Sequence, residues 1–238
     1  MTAKPANGAN IFYFLSYSIS NNSMKPEKVG SVENSNARTV RIVHISDTHM
    51  LHESFLPMIP DGDILVHSGD FTSITFKEYV KSEEKYIRTL QVLDDFFDRL
   101  PHKHKIFVSG NHEQAVSKNS RERTQNLLRH VRYLQDESVT LEGIKFYGSP
   151  WNLSRVLTHA RGFSSSSSQL KRHWGRIPGD TDVLVTHQPP QNVLDLGTDK
   201  WIQTVFKWSS VCNICGQSHE GRSHWGCRHL KERVMEVR

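Results

Sequence analysis

From residue 39 to residue 187 the chain switches repeatedly between two hydrophobic periods. Apolar runs of strand length, TVRIVHIS (39–46), DILVHSG (63–69), HKIFVSG (104–110) and DVLVTH (182–187), are separated by helical patterns. In FKEYVKSEEKYIRTLQVLDDFFDRL (76–100), Phe76, Val80, Ile87, Leu90, Leu93, Phe97 and Leu100 share one helical face, and Pro101 stops the helix. A second helix is expected from about Ser117 to His130. VTLEGIKFYGSPW (139–151) reads as two short strands turning at Glu142-Gly143, and the serine run Ser164–Ser168 reads as a loop. Strands alternating with helices predict βαβ units and an α/β fold. Residues 1–37, rich in Asn, Ser and Pro without a sustained period, read as a disordered tail, and the ordered domain is expected over 38–238.

The apolar runs share one kind of ending. The first finishes at Ser46-Asp47-Thr48-His49, the second at Ser68-Gly69-Asp70, the third at Ser109-Gly110-Asn111-His112-Glu113, and the last at Thr186-His187. Singly, each has a plain explanation: Gly-Asp and Gly-Asn make turns, and a histidine can simply close a strand. Jointly, four strands stop at residues able to bind a metal or a phosphate, where layered α/β folds place their sites. Side chains at i and i+2 of an extended chain point the same way, so Asp47 and His49 are expected to aim a carboxylate oxygen and a ring nitrogen at one point. Gly69 and Gly110 would allow close backbone approach there.

Composition narrows the chemistry. The net charge of +5 and a pI near 9.1 suit an anionic, phosphate-bearing substrate and are weak grounds for nucleic acid, so no nucleic-acid partner is expected. Fourteen histidines form a large reserve of metal ligands. Three cysteines cannot all pair within the chain, which argues for a reducing, cytoplasmic setting. The apolar stretch IFYFLSYSIS (11–20) is too short to span a bilayer and is broken by serines, so it reads as a weakly ordered leader and no membrane partner is expected.

The order D-x-H, G-D, G-N-H-E and a lone His after an apolar strand resembles the calcineurin-like metallophosphoesterases. PDGDILVHSGDFT, SGNHE, YGSPW and DVLVTHQPP look like the small metallophosphoesterase-domain subfamily, over residues 38–195 and again at GCRHLKERVMEV. The resemblance implies a four-layer α/β/β/α sandwich with two divalent metal ions. Asp47 and His49 would bind the first, Asp70 would bridge both, and Asn111 and His187 would bind the second. His112 would act catalytically, reaching the substrate phosphate or protonating the leaving oxygen. The mixed carboxylate, imidazole and amide set suits Mn, Fe or Zn. The implied reaction is hydrolysis of a phosphate ester, above all a phosphodiester such as a nucleotide, by a metal-bridging hydroxide.

The family pattern has one further block, Gly-His-x-His, after the segment that here is Gly226-Cys227 through Val237. The chain ends at Arg238, so the domain reads as C-terminally incomplete, with strands lost and a sheet edge left open. Cys215-Gly216-Gln217-Ser218-His219-Glu220 is a poor stand-in. This gap supports an alternative, a non-catalytic nucleotide- or metal-binding protein on the same fold. Cys212-x-x-Cys215, with His219, His224 and Cys227 beyond it, reads either as the start of a small zinc module or as a variable loop. Trp151, Trp174 and Trp201 read as packing residues, with base stacking the alternative.

Overall fold

Strand parity decides the layers. The computed structural model describes residues 11–20, 23–28, 39–73, 82–153, 161–188 and 212–215. Six strands, β1 (Ile11–Ser20), β2 (Ser23–Lys28), β3 (Thr39–Ile45), β4 (Ile64–His67), β5 (His104–Phe107) and β6 (Arg132–Tyr133), form a sheet in the order β2-β1-β3-β4-β5-β6. All its pairings are parallel except β1 with β2. β7 (Glu137–Leu141) and β8 (Ile144–Ser149) form a hairpin, while β9 (Asn152–Leu153) and β10 (Ser164–Ser165) make a small ladder of their own. β11 (Val183–Thr186) and β12 (Cys212–Cys215) complete a second sheet in the order β12-β11-β8-β7.

Even-numbered positions of the first sheet, Val40, Ile42, Ile64, Val66, Ile106 and Val108, meet Ile144, Phe146, Val183 and Val185 of the second. Odd positions turn the other way. Val43, Ile45, Leu65 and Phe107 pack on Leu90, Leu93, Phe96 and Phe97 of the helix α2 (Glu83–Asp98), which follows the one-turn helix α1 (His52–Phe55). α3 (Arg121–Leu127) begins at the Ser120 cap and lies beside α2. On the outer side of the second sheet, Tyr147 and Leu184 pack on Leu170 and Trp174 of the helix α4 (Ser167–Trp174). The layers therefore run helix, sheet, sheet, helix, the four-layer α/β/β/α sandwich. A period of two along strands buried on both faces produces this directly.

Three departures from the sequence reading have physical causes. Residues 11–28, read as part of a disordered tail, contain β1 and β2, and β1 runs parallel to β3 from Ile11 opposite Thr39 to Ser16 opposite His44. In IFYFLSYSIS every odd position is apolar or tyrosine. The serines that looked like breaks occupy one parity of a strand. Ser164–Ser168, read as a loop, contains β10 and the start of α4. Ser166 caps that helix, accepting from the Gln169 N–H while Gln169 accepts from the Ser166 N–H, the reciprocal capping box. Finally, the Cys212-x-x-Cys215 segment, read as a zinc-module start or a variable loop, is strand β12, paired in parallel register with β11, Val183 opposite Cys212 through Thr186 opposite Cys215. The Glu142-Gly143 turn is as expected, both residues having positive φ (51° and 82°). The helix expected from Phe76 is described from Glu83, with Phe76 and Val80 outside the described residues. So too are His219, His224, Cys227 and Trp201.

Candidate metal centre

The loops after β3, β4, β5 and β11 meet at one end of the two sheets. Backbone bonds zip the first two together: Asp47 N–H to the Gly69 carbonyl at 2.9 Å, His49 N–H to that of Asp70 at 3.0 Å, and Met50 N–H to that of Phe71 at 2.7 Å. This register forces unusual backbone. Asp47 (φ 53°), His49 (42°), Met50 (65°), Gly69 (106°) and Asp70 (56°) all lie in the left-handed region. Strain of this kind, about 1–3 kcal/mol per non-glycine residue, persists where surrounding structure imposes it and concentrates at functional sites. Gly110 sits so close that a Cβ there would lie 2.2 Å from Asp70 Oδ1 and 2.8 Å from His187 Cε1.

The six residues singled out from sequence are brought together. Among the described residues, two groups of metal-capable donors occur, each with its ligand atoms within 4.8 Å of one another: His49, Asp70 and His112, and Asp47, Asp70 and His187. Asp70 is common to both. His187 Nε2 lies 3.4 Å from Asp70 Oδ1 and 2.9 Å from Asn111 Oδ1, and His112 Nε2 lies 3.6 Å from Asp70 Oδ2. His49 Nε2 is 4.0 Å from Asp47 Oδ1. Asp47 and His49 do bring an oxygen and a ring nitrogen together, but not by strand alternation: β3 ends at Ile45 and both residues are left-handed, so the turn, not an extended chain, makes them neighbours.

The imidazoles are oriented by backbone. His49 Nδ1–H donates to the Thr72 carbonyl at 2.8 Å and His187 Nδ1–H to that of Ser68 at 3.0 Å, directing each Nε2 inward. Burial alone would push the Asp70 carboxyl up and the His187 ring down. Their mutual attraction reverses both, holding Asp70 at about 2 and raising His187 to about 10. His187 correspondingly faces an acceptor from each nitrogen. Burial lowers His112, against the pull of Asp70, and its Nδ1 is buried with no hydrogen-bond partner. These donors fit divalent ions: carboxylates, imidazoles and an amide oxygen converge on a shared carboxylate, with ring nitrogens turned toward it.

Other residues at the site carried no assigned role in the sequence reading. Glu113, 2% exposed, accepts from the N–H groups of Asp70 (2.8 Å), Gly110 (2.6 Å) and Thr72 (2.9 Å) and from the Thr72 hydroxyl (3.0 Å). His67 accepts the Gly69 N–H at Nδ1 (3.2 Å) and donates from Nε2 to Thr48 Oγ1 (3.1 Å), which fixes it as neutral. His44 Nε2 meets Ser68 Oγ at 2.7 Å. The segment after β8 forms an adjoining wall. Leu153 N–H donates to Gln188 Oε1 at 2.6 Å and Gly162 N–H to the Asn111 carbonyl at 2.8 Å. Asp136 braces this wall, accepting from Ser149 Oγ (3.0 Å), Trp151 Nε1 (2.7 Å) and His173 Nδ1 (3.0 Å). Trp151 is stacked on His173 at 3.8 Å and set edge-on to Phe163, so it packs the wall, and Trp174 lies in the outer core. Glu113 had a sequence signal, its place in the Gly-Asn-His-Glu ending. Asp136 had none, because its partners come from two other segments, Ser149 to Trp151 and α4, that are distant in sequence.

Fold and donors define a layered phosphoesterase-type α/β protein, and comparison makes the class definite. The model of the calcineurin-like phosphoesterases matches residues 40–221, and the chain belongs to that family of metal-dependent phosphoesterases. A UPF0046 protein of Caenorhabditis elegans is 35% identical over 202 residues, covering 76% of this chain and 64% of that protein. Human metallophosphoesterase domain-containing protein 1 is 31% identical over 213 residues, covering 76% of this chain and 61% of its own length. The chain thus spans under two-thirds of these two relatives. One solved crystal structure shares the fold, with a TM-score of 0.53 at 12% identity over 74% of this chain and 83% of that one.

Proposed function

We propose that this protein hydrolyses phosphate esters, phosphodiesters above all, at a dinuclear metal site centred on Asp70. The observation that carries the reading is the shared carboxylate: Asp70, 2% exposed, belongs to both donor groups. In this reading Asp47 and His49 serve one metal pocket and Asn111 and His187 serve the other, with Asp70 shared. Bound Mn, Fe or Zn ions supply Lewis-acid polarisation of a phosphoryl oxygen and acidification of a water. Asp70 sets the separation of the pockets. His112, neutral and aimed at the Asp70 edge, donates a hydrogen bond to a phosphate oxygen or to the leaving oxygen. The net charge of +5 favours an anionic ester such as a nucleotide.

The test is hydrolysis of bis-p-nitrophenyl phosphate and of p-nitrophenyl phosphate with Mn²⁺, beside His112→Ala. Turnover favouring the diester, reduced about 10²–10⁴-fold in the variant, supports the reading. A folded protein that binds Mn²⁺ and turns over neither ester contradicts it and marks a binding protein on this fold.

A further inference from the structure

The metal centre is gripped by a residue that is not among the proposed ligands. Resting on the dinuclear reading, we infer that Glu113 is the positioning residue that holds both metal pockets in register. Its carboxylate is buried beneath the site and each oxygen is doubly occupied. Oε2 accepts the N–H of Asp70 at 2.8 Å and that of Gly110 at 2.6 Å. Oε1 accepts the N–H of Thr72 at 2.9 Å and its hydroxyl at 3.0 Å. These contacts reach both pockets. Thr72 is the residue whose carbonyl receives His49 Nδ1–H. Asp70 is the shared donor, and Gly110 precedes Asn111. One side chain on the β5 loop therefore fixes the β4 loop on either side of Asp70, and through Thr72 the rotation of the His49 ring.

The grip needs a carboxylate. Three of its four donors are backbone N–H groups that can only donate. A glutamine offers one acceptor oxygen and one NH2 group. Turned either way, its NH2 faces at least one backbone N–H: those of Asp70 and Gly110 in one orientation, that of Thr72 in the other. Aspartate keeps both acceptors on a shorter stem and retains part of the grip. Left-handed φ at Asp70 and His49 gives the loops an alternative to relax into once released. The expected damage is thus to the geometry of the donors before it is to the fold.

The experiment is calorimetric Mn²⁺ titration of the metal-free full chain as wild type, Glu113→Gln, Glu113→Asp and Leu93→Ala. Leu93 lies in the helix-side core and makes none of the donor contacts named above, so its truncation supplies a destabilised control. Glu113→Gln is expected to weaken Mn²⁺ binding by about 10–100-fold, the usual effect of removing a residue that orients ligands. Glu113→Asp should recover part of the loss, and Leu93→Ala should bind as wild type does despite a lower melting temperature. Wild-type affinity in Glu113→Gln would overturn the inference while leaving the dinuclear reading intact. So would an equal loss of affinity in Leu93→Ala. Failure of the wild type to bind Mn²⁺ would overturn the dinuclear reading itself, and the inference with it.

Discussion

Replacing Gly110 with alanine adds one methyl group at the narrowest point of the site. Its backbone φ is not left-handed, so the cost comes from contact alone. The new Cβ would stand 2.2 Å from Asp70 Oδ1, 2.7 Å from Asp70 N and 2.8 Å from His187 Cε1, where real Cβ atoms keep at least 3.0 Å. Oδ1 must therefore retreat by roughly 0.8 Å (3.0 minus 2.2), and the Asp70 backbone, tied to Glu113, cannot carry the shift. Metal–ligand distances tolerate about 0.2 Å. Overpacking of this kind costs about 1–3 kcal/mol, and at about 2–4 °C per kcal/mol for a domain of this size the melting temperature falls by roughly 2–12 °C. Mn²⁺ affinity should fall further than stability does, by about tenfold or more. Gly179→Ala is the matched control, because a Cβ there meets nothing within 4 Å. The assay is thermal unfolding of the metal-free proteins paired with Mn²⁺ titration. Gly110→Ala binding Mn²⁺ as tightly as wild type would refute the reasoning.

Other consequences are open to measurement. His187 in the metal-free protein holds its second proton up to about pH 10 and must lose it to ligate, so Mn²⁺ affinity should rise with pH. Binding should release at least one proton, read by calorimetry in buffers of different ionisation enthalpy, and an affinity flat from pH 6 to 8.5 would contradict this. Burial lowers His44 to about 3 from the ordinary 6.5, so the fold keeps it neutral while the unfolded chain takes up a proton below about 6.5. Its effect is therefore a loss of stability as pH falls from about 6.5 toward 3. At pH 5 the shift of 1.5 (6.5 minus 5) is worth about 2 kcal/mol. In urea unfolding, the decline from pH 7.5 to pH 5 should shrink by about that amount in His44→Gln, and an unchanged decline would count against it. Asp136→Ala strips the wall of an acceptor shared by Ser149, Trp151 and His173. It should cost about 2–4 kcal/mol and change the Trp151 fluorescence; a loss under about 0.5 kcal/mol would show that the brace is idle.

What could be read from sequence, and what could not, follows from the range of the interactions. The central strands were legible because both faces are buried and an unbroken apolar run has few other uses. The ends of those strands were legible because donors crowd where the chain must turn. α2 announced itself by period and by Pro101. β1 did not, because its signal is one parity of a ten-residue stretch whose other parity holds three serines. α4 was hidden because its cap, Ser166, is one of five consecutive serines. Within the site, residue identity was readable but the backbone that delivers it was not. Asp47 and His49 come within 4.0 Å of each other from left-handed backbone rather than from an extended strand. That conformation is imposed by the β3–β4 loop register, a contact between segments more than twenty residues apart.

The central claim is that one carboxylate, Asp70, organises a site for two metals. Metal content settles it most directly: wild type and Asp70→Ala, dialysed from Mn²⁺, counted by mass spectrometry, with circular dichroism to show the fold is kept. Two ions per wild-type chain, and neither retained by the variant, is the expected result. A folded Asp70→Ala protein that still carries both ions would contradict it.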